Sequence, residues 1–284
     1  MWYGSNVRGG ELAPATLTSA LKNTDLWKMV VDESTIPIQE SVRSWKETHF
    51  LDEIVDADKK LAEKIVNELQ ANRFVLTIGG DHALGLGSVS GSLQYDANIG
   101  LIWFDAHGDM NTEETSPTGH IHGMPVAALM GLCKSELNNV APVKIKPENI
   151  FWIGTRELDK GEQELAERLH LNVYSTELIH KRGMADILNE VRIHMEKQGI
   201  KHIHLSFDVD AFDPELFPAT GVKVPNGLNM DDFEQFVKEM DSLPNICTID
   251  FVEYNPTMEK KDTPYDCERK SVSFIINLLR NNFV

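Results

Sequence analysis

The sequence predicts an α/β protein, read as one domain over residues 1–284 with three layers, α/β/α, and a mostly parallel sheet in the middle. Three observations carry this. Short runs such as FVLTI from Phe74 and GLIWF from Gly100 are apolar at consecutive positions, as strands buried on both faces are. They alternate along the chain with stretches of helical periodicity. No Pro/Gly/Ser-rich linker separates one half of the 284 residues from the other.

Taken in order, Ser5 to Leu12 (SNVRGGEL) reads as a loop, and Pro14 suits the first turn of a helix running to about Lys22. Val30-Val31 and Ile36–Ile38 are expected to supply a short strand. A charged helix follows from about Leu51 to Asn72, with Ile54, Leu61, Ile65 and Leu69 on its inner face. After the strand from Phe74, the small, Gly-rich stretch Leu84 to Leu93 suits a helix packed closely on the sheet. Reading GLGSVSG as a phosphate cradle is weak, because the P-loop lysine is absent. Pro125 to Leu132 is apolar all round, as a buried helix is. Strands are expected at Ile150 to Gly154, from His202, and over Asn245–Val252, with amphipathic helices over Glu162–Leu169, Met184–Glu196 and Asp231–Met240.

Composition narrows the function. A net charge of -17 opposes binding of nucleic acid, which needs a basic face, and suits solubility or attraction of a cationic substrate. Cys133, Cys247 and Cys267 lie far apart without a CxxC pair, so neither a zinc ribbon nor a disulfide framework is indicated, and a cytoplasmic location fits. No signal peptide and no membrane-length apolar run is present, so no membrane partner is expected.

Chemistry concentrates where strands run out into loops. Asp105, His107 and Asp109 follow the Gly100–Phe104 run at spacing i, i+2, i+4, and in extended backbone alternate side chains point the same way. A single Asp or His there is ordinarily a turn residue or a cap, but three at this spacing form a comb of metal-ligand type. Asp81-His82 follows the strand from Phe74, and Asp208, Asp210 and Asp213 follow that from His202. In open α/β sheets such loops converge beyond the carboxyl ends of the strands. If His82, Asp105, His107, Asp109, Asp208 and Asp210 meet, their four carboxylates need about four positive charges, which two divalent cations supply. Carboxylate and imidazole without thiolate favour manganese, Mn2+ at two per chain, and a bridging water activated between two such ions makes hydrolysis the expected reaction.

The motifs GGDH (Gly79–His82), DAHGDMNT (Asp105–Thr112), SPTGHIHGMP (Ser116–Pro125), SFDVDAFDP (Ser206–Pro214) and EYNP (Glu253–Pro256) resemble, in this order, those of the ureohydrolase family and within it the arginases of bacterial type. The resemblance covers nearly the whole chain. It implies manganese-dependent hydrolysis of L-arginine to L-ornithine and urea by a metal-bridging hydroxide, with the six residues above as ligands and Asp109 also bonded to the hydroxide. Glu253 would pair with the substrate guanidinium, and His122 would serve as acid or proton shuttle. Asn111, Thr118 and His120 would read the α-carboxylate, Asp159 the α-ammonium, and Glu162 would lie beside it. The resemblance also implies a homo-oligomer, trimer or hexamer. Independently of it, Glu253 offers the fork-shaped charge partner that a planar guanidinium needs, and His122 stands in a Gly-bounded loop open to solvent protons.

Several departures from the arginase pattern bear on the outcome. Thr118-Gly119-His120 stands where Ser-Gly-Asn is usual, and Val222 after PATG replaces a threonine. The family's opening strand is apparently missing, since Met1-Trp2-Tyr3-Gly4 starts at the loop that usually follows it, so an unpaired strand edge is expected there. Two alternatives stay open: another ureohydrolase acting on agmatine, a different guanidino compound or formimidoylglutamate, and a metal-binding member with impaired catalysis.

Overall fold

Six strands form one parallel sheet in the computed structural model, which describes residues 1–134, 136–259 and 266–283. They are β1 (Val75–Ile78), β2 (Gly100–Phe104), β3 (Ile150–Thr155), β4 (Asn172–Ser175), β5 (His202–Asp208) and β6 (Asn245–Val252), in the order β1-β6-β5-β2-β3-β4. The chain therefore moves outward from β2 through β3 to β4, then returns to the other side of β2 for β5 and β6. That reversal puts a crevice between β2 and β5 at their carboxyl ends, the usual seat of a ligand in an open parallel sheet.

Alternation along each strand sorts side chains to two cores. Ile102, Phe104, Phe151 and Ile153 face one layer, with α1 (Ala13–Leu21), α7 (Thr176–Arg182), α8 (Met184–Gln198), α9 (Met230–Glu239) and α10 (Cys267–Phe283). Leu101, Trp103, Ile150 and Trp152 face the other, with α2 (Trp45–Thr48), α3 (Leu51–Gln70), α4 (Gly85–Tyr95), α5 (Pro125–Leu129) and α6 (Lys160–Leu169). The single-domain three-layer reading is thus the observed architecture. On the first face Phe104, Phe207 and Phe251 are register partners on β2, β5 and β6, and their rings stack at centroid distances of 4.5 and 5.7 Å. This apolar ladder immediately precedes the strand ends and fixes how the three loops leave the sheet.

The small residues of α4 do two jobs. On one side Gly87 and Gly91 let α3 approach: a Cβ on Gly87 would lie 2.5 Å from the Asp58 carbonyl oxygen, and one on Gly91 2.7 Å from that of Ala62. On the other side Ser88 and Ser92 reach polar residues of the sheet. Ile54, Leu61, Ile65 and Leu69 are buried on the inner face of α3, as their spacing requires.

Differences from the sequence-based expectation have physical reasons. Residues 30–41 form neither helix nor strand; Val31 is exposed, and Pro37 interrupts any row of backbone donors. β4, α7 and α10 are elements beyond that expectation, and Ser175 caps α7 by accepting from the Leu178 amide at 3.2 Å. Among the described residues no strand precedes Val75, and β1 pairs only with β6, leaving its outer edge without a strand. Residues 1–9 instead cross the loop after β1: the amide of Asp81 donates to the Met1 carbonyl at 2.9 Å, and the Asn255 side-chain amide donates to that of Arg8 at 3.0 Å.

The α3–α4 contact supplies a stability test. Gly87→Ala is expected to lower unfolding stability by about 1–3 kcal/mol, because backbone rather than a flexible side chain meets the added methyl. Urea denaturation showing no loss would mean that the two helices are not held at this distance.

Candidate active site

The loops after β1, β2 and β5 bring all six expected residues together. Nδ1 of His82 lies 2.8 Å from Asp105 Oδ2, 3.2 Å from Asp109 Oδ2 and 3.2 Å from Asp208 Oδ2. Nδ1 of His107 lies 3.3 Å from Asp105 Oδ1 and 3.1 Å from Asp210 Oδ2. Asp105 therefore turns one oxygen to each imidazole and joins two adjoining groups, each able to hold a cation.

Backbone donors aim the carboxylates. Oδ1 of Asp105 accepts from the His107 amide at 2.7 Å, Oδ1 of Asp208 from that of Asp210 at 2.7 Å, and Oδ1 of Asp210 from that of Ala106 at 3.2 Å. Anchored by one oxygen, Asp208 and Asp210 present the other to the cluster. Trp103 stacks flat on His82, with ring centroids 3.9 Å apart, and so sets the plane of that ring.

The electrostatics show that these groups are not at rest with one another. Burial, then the neighbouring Asp105, pushes Asp109 up to about 6. Asp208 and Asp210 are raised for the same first reason, with nearby aspartates adding to it. For Asp105 burial acts upward too, but the adjoining His107 and His82 imidazoles outweigh it and hold the group below its ordinary range. Burial alone would lower both imidazoles; the surrounding carboxylates reverse this and raise them well above an ordinary histidine. Buried His82 Nδ1 and Asp105 Oδ2 have no hydrogen-bond partner among the described residues. Inward-facing oxygen and nitrogen atoms without thiolate fit hard divalent cations.

Glu253 follows β6 and stands beside the cluster. Its Oε1 accepts from the His82 amide at 2.9 Å and faces His122 Nδ1 at 3.4 Å, while a Cβ added to Gly221 would lie 3.8 Å from its Oε2. Asp109 and Glu253 both have left-handed backbone, φ 49° and 63°, an unusual conformation for residues with side chains and one that gathers at functional sites.

The chain matches the Arginase family model over residues 2–279. It belongs to the arginase family. An arginase of Brevibacillus brevis is 35% identical over 269 residues, covering 92% of this chain and 90% of that one. An arginase of Entamoeba histolytica is 37% identical over 216 residues, or 75% and 72% of the two chains. Among solved structures, Bacillus subtilis arginase superposes with a TM-score of 0.89 at 31% identity, covering 100% of this chain and 97% of that one. Entamoeba histolytica arginase in complex with L-ornithine gives 0.88 at 33%, covering 98% and 94%. As an arginase-family member the protein is a hydrolase of C–N bonds in linear amidines. No helix among the described residues is long and apolar enough to cross a membrane.

The residues expected to face the far end of a substrate are less uniform. Asn111 Nδ2 donates to Asp159 Oδ2 at 2.8 Å, joining the loop after β2 to the start of α6. Thr118 is exposed, and half-buried His120 packs edge-on against Trp45 at 5.0 Å. Glu162 is turned inward: Oε1 accepts from the Met110 amide at 3.0 Å and Oε2 from that of Asp159 at 2.8 Å. It closes a capping box and steadies the loop instead of offering a free carboxylate outward.

Sequence reasoning passed over Arg156. Its guanidinium donates to the carbonyls of Gly154, Asp210, Ala211, Phe212, Val224 and Pro225, clamping the loop after β5. A lone arginine after a strand carries no sequence signal for carbonyl recognition. Asp81 was likewise assigned no role, although its Oδ1 accepts from the Ala83 amide at 3.1 Å and its Oδ2 from that of Gly4 at 3.0 Å. It joins the chain's first residues to the turn that carries His82.

A pH test follows from the His122–Glu253 contact. Burial would lower His122, but the hydrogen bond and charge of Glu253 outweigh it and raise the group. Its stabilising contribution is therefore complete below the unfolded value of about 6.5 and disappears as pH rises through the raised folded value. Denaturation of metal-stripped protein should show this pH-dependent part in the wild type and not in His122→Asn. Equal pH dependence in both would remove the contact as its source.

Proposed function

We propose that this protein hydrolyses L-arginine to L-ornithine and urea, using two manganese ions held by His82, Asp105, His107, Asp109, Asp208 and Asp210. The observation that carries the reading is Asp105 dividing its oxygens between two imidazole–carboxylate groups beside Glu253. When bound, two such cations supply the missing positive charge and make water nucleophilic near neutral pH. Oxygen and imidazole donors favour manganese over a softer metal.

The chain's own residues have distinct tasks. Glu253, its Oε1 held by the His82 amide, pairs with the planar cationic guanidinium and orients its carbon toward the cluster. Asp109 accepts a hydrogen bond from the attacking water. His122 keeps Nδ1 against Glu253, leaving Nε2 to exchange a proton with the leaving amine or solvent. Asp159, placed by Asn111, takes the α-ammonium, and Thr118 and His120 donate to the α-carboxylate. Glu162 acts through the Met110 and Asp159 amides, as the support of that subsite.

A second reading, with another guanidino compound or formimidoylglutamate as substrate, draws on His120 and Val222. Imidazole places its donor differently from an amide, and valine removes a hydroxyl near the guanidinium pocket. The family reading further suggests a cytoplasmic homo-oligomer, trimer or hexamer, with one such site in each domain spanning 1–284.

A panel of arginine, agmatine and formimidoylglutamate, assayed with manganese-loaded protein, should show arginine with the highest kcat/KM, because polar groups built to read a carboxylate are left unpaired without it. Agmatine or formimidoylglutamate turning over faster would transfer the assignment to the second reading. Glu253→Gln should retain both metals and lose about one to two powers of ten in kcat/KM, the worth of a charge-assisted hydrogen bond of roughly 1.5–3 kcal/mol. Unchanged kcat/KM would place Glu253 outside the substrate site.

A further inference from the structure

Beneath the cluster, between the sheet and α4, runs a row of buried polar residues. Ser206 and Asp250 are register partners on β5 and β6, and His204 and Thr248 sit one pair earlier on the same face. Ser88 and Ser92 of α4 project onto them. All six are completely buried. Polar groups in so dry a place are costly unless their hydrogen bonds are directed, and among these six residues Asp250 Oδ1 alone has no partner among the described residues.

The directions can be worked out from one fixed pole. As a carboxylate oxygen, Asp250 Oδ2 can only accept, and it takes Ser88 Oγ–H, Ser206 Oγ–H at 3.2 Å and His204 Nε2–H at 2.8 Å. His204 Nδ1 then accepts from the Ser92 hydroxyl at 2.8 Å, and Thr248 Oγ1 donates to Ser92 Oγ at 3.2 Å. Ser206 has one proton, already committed to Asp250. Its oxygen must accept from His82 Nε2–H, 2.8 Å away. In the neutral imidazole that would bind a cation, Nδ1 of His82 is thereby the atom left with a lone pair, toward Asp105, Asp109 and Asp208.

From this we infer that Asp250, acting through Ser206, is a positioning residue that fixes the nitrogen with which His82 binds metal. Trp103 sets the plane of the ring, and the serine–aspartate link sets which atom faces the cluster. His107 has no such link: its Nε2 faces the largely exposed Glu157 carboxylate at 3.5 Å. The two cation sites are consequently unequal, and the buried network governs the one that contains His82. This inference rests on the two-cation reading above.

The test is calorimetric titration of metal-stripped protein with manganese, comparing wild type, Ser206→Ala, Asp250→Asn and Ser90→Ala. Ser90 is a control on the same helix, equally buried, whose hydroxyl donates to the Val140 carbonyl away from the network. The wild type should take up two ions. Ser206→Ala and Asp250→Asn should weaken one of them about 10–100-fold and leave the other near its original affinity. Ser90→Ala should weaken neither, whatever it costs in unfolding midpoint.

Unchanged affinities in Ser206→Ala and Asp250→Asn, or equal weakening of both ions, would overturn the positioning role and leave the two-cation reading intact. A wild type that binds no manganese would overturn both. Should Ser206→Ala not fold, Asp250→Asn, which keeps the shape and one acceptor oxygen, decides the question.

Discussion

Everything at this site follows from a single demand, that four buried carboxylates be held within contact of two imidazoles against their own repulsion. The protein meets it with backbone amides rather than basic side chains. A basic side chain in the cluster would fill the space between the inward-facing oxygens. One oxygen each of Asp208 and Asp210 accepts an amide hydrogen at a strand end and the other is held forward, while Asp105 shares itself between both imidazoles. Arg156 lies behind this arrangement, binding the carbonyls of the β5 loop while its charge acts on Asp210, Asp105 and Asp208 from outside the cluster.

The sheet makes such convergence possible. Because β2 and β5 are neighbours at the point where the chain reverses its direction across the sheet, loops remote in sequence open into one crevice. The two faces of the same strands then divide the work. Phe104, Phe207 and Phe251 form a stiff apolar ladder on one side, while one residue earlier Ser206 and Asp250 sit opposite them beside Trp103. Loops leaving so rigid a platform carry little freedom where they begin, at Asp105 after β2 and directly after Asp208, the last residue of β5.

Much of this was legible in the chain. The strands over Gly100–Phe104 and Ile150–Gly154 declare themselves by continuous apolar runs, and the comb Asp105, His107, Asp109 by its spacing. What escaped reading has a common cause: its meaning depends on partners far away in sequence. His204, Thr248 and Asp250 look like polar interruptions of buried strands until α4 supplies serines to meet them. Glu162 resembles an outward helix-start acid, but its oxygens are taken by the amides of Met110 and Asp159. In the opposite direction, apolar residues near Val31 and Ile38 suggest a strand that Pro37 and the lack of a partner prevent.

The left-handed backbone at Asp109 and Glu253 has a consequence for how this enzyme can evolve toward heat resistance. Strain of this kind costs about 1–2 kcal/mol per residue and is relieved most simply by glycine. Glycine at either position would also delete a carboxylate from the site. Selection for a sturdier fold alone would therefore favour substitutions that strip carboxylates from the site, and adaptation that keeps the site whole must find its gains in the helical layers, far from the two residues where they are easiest to obtain.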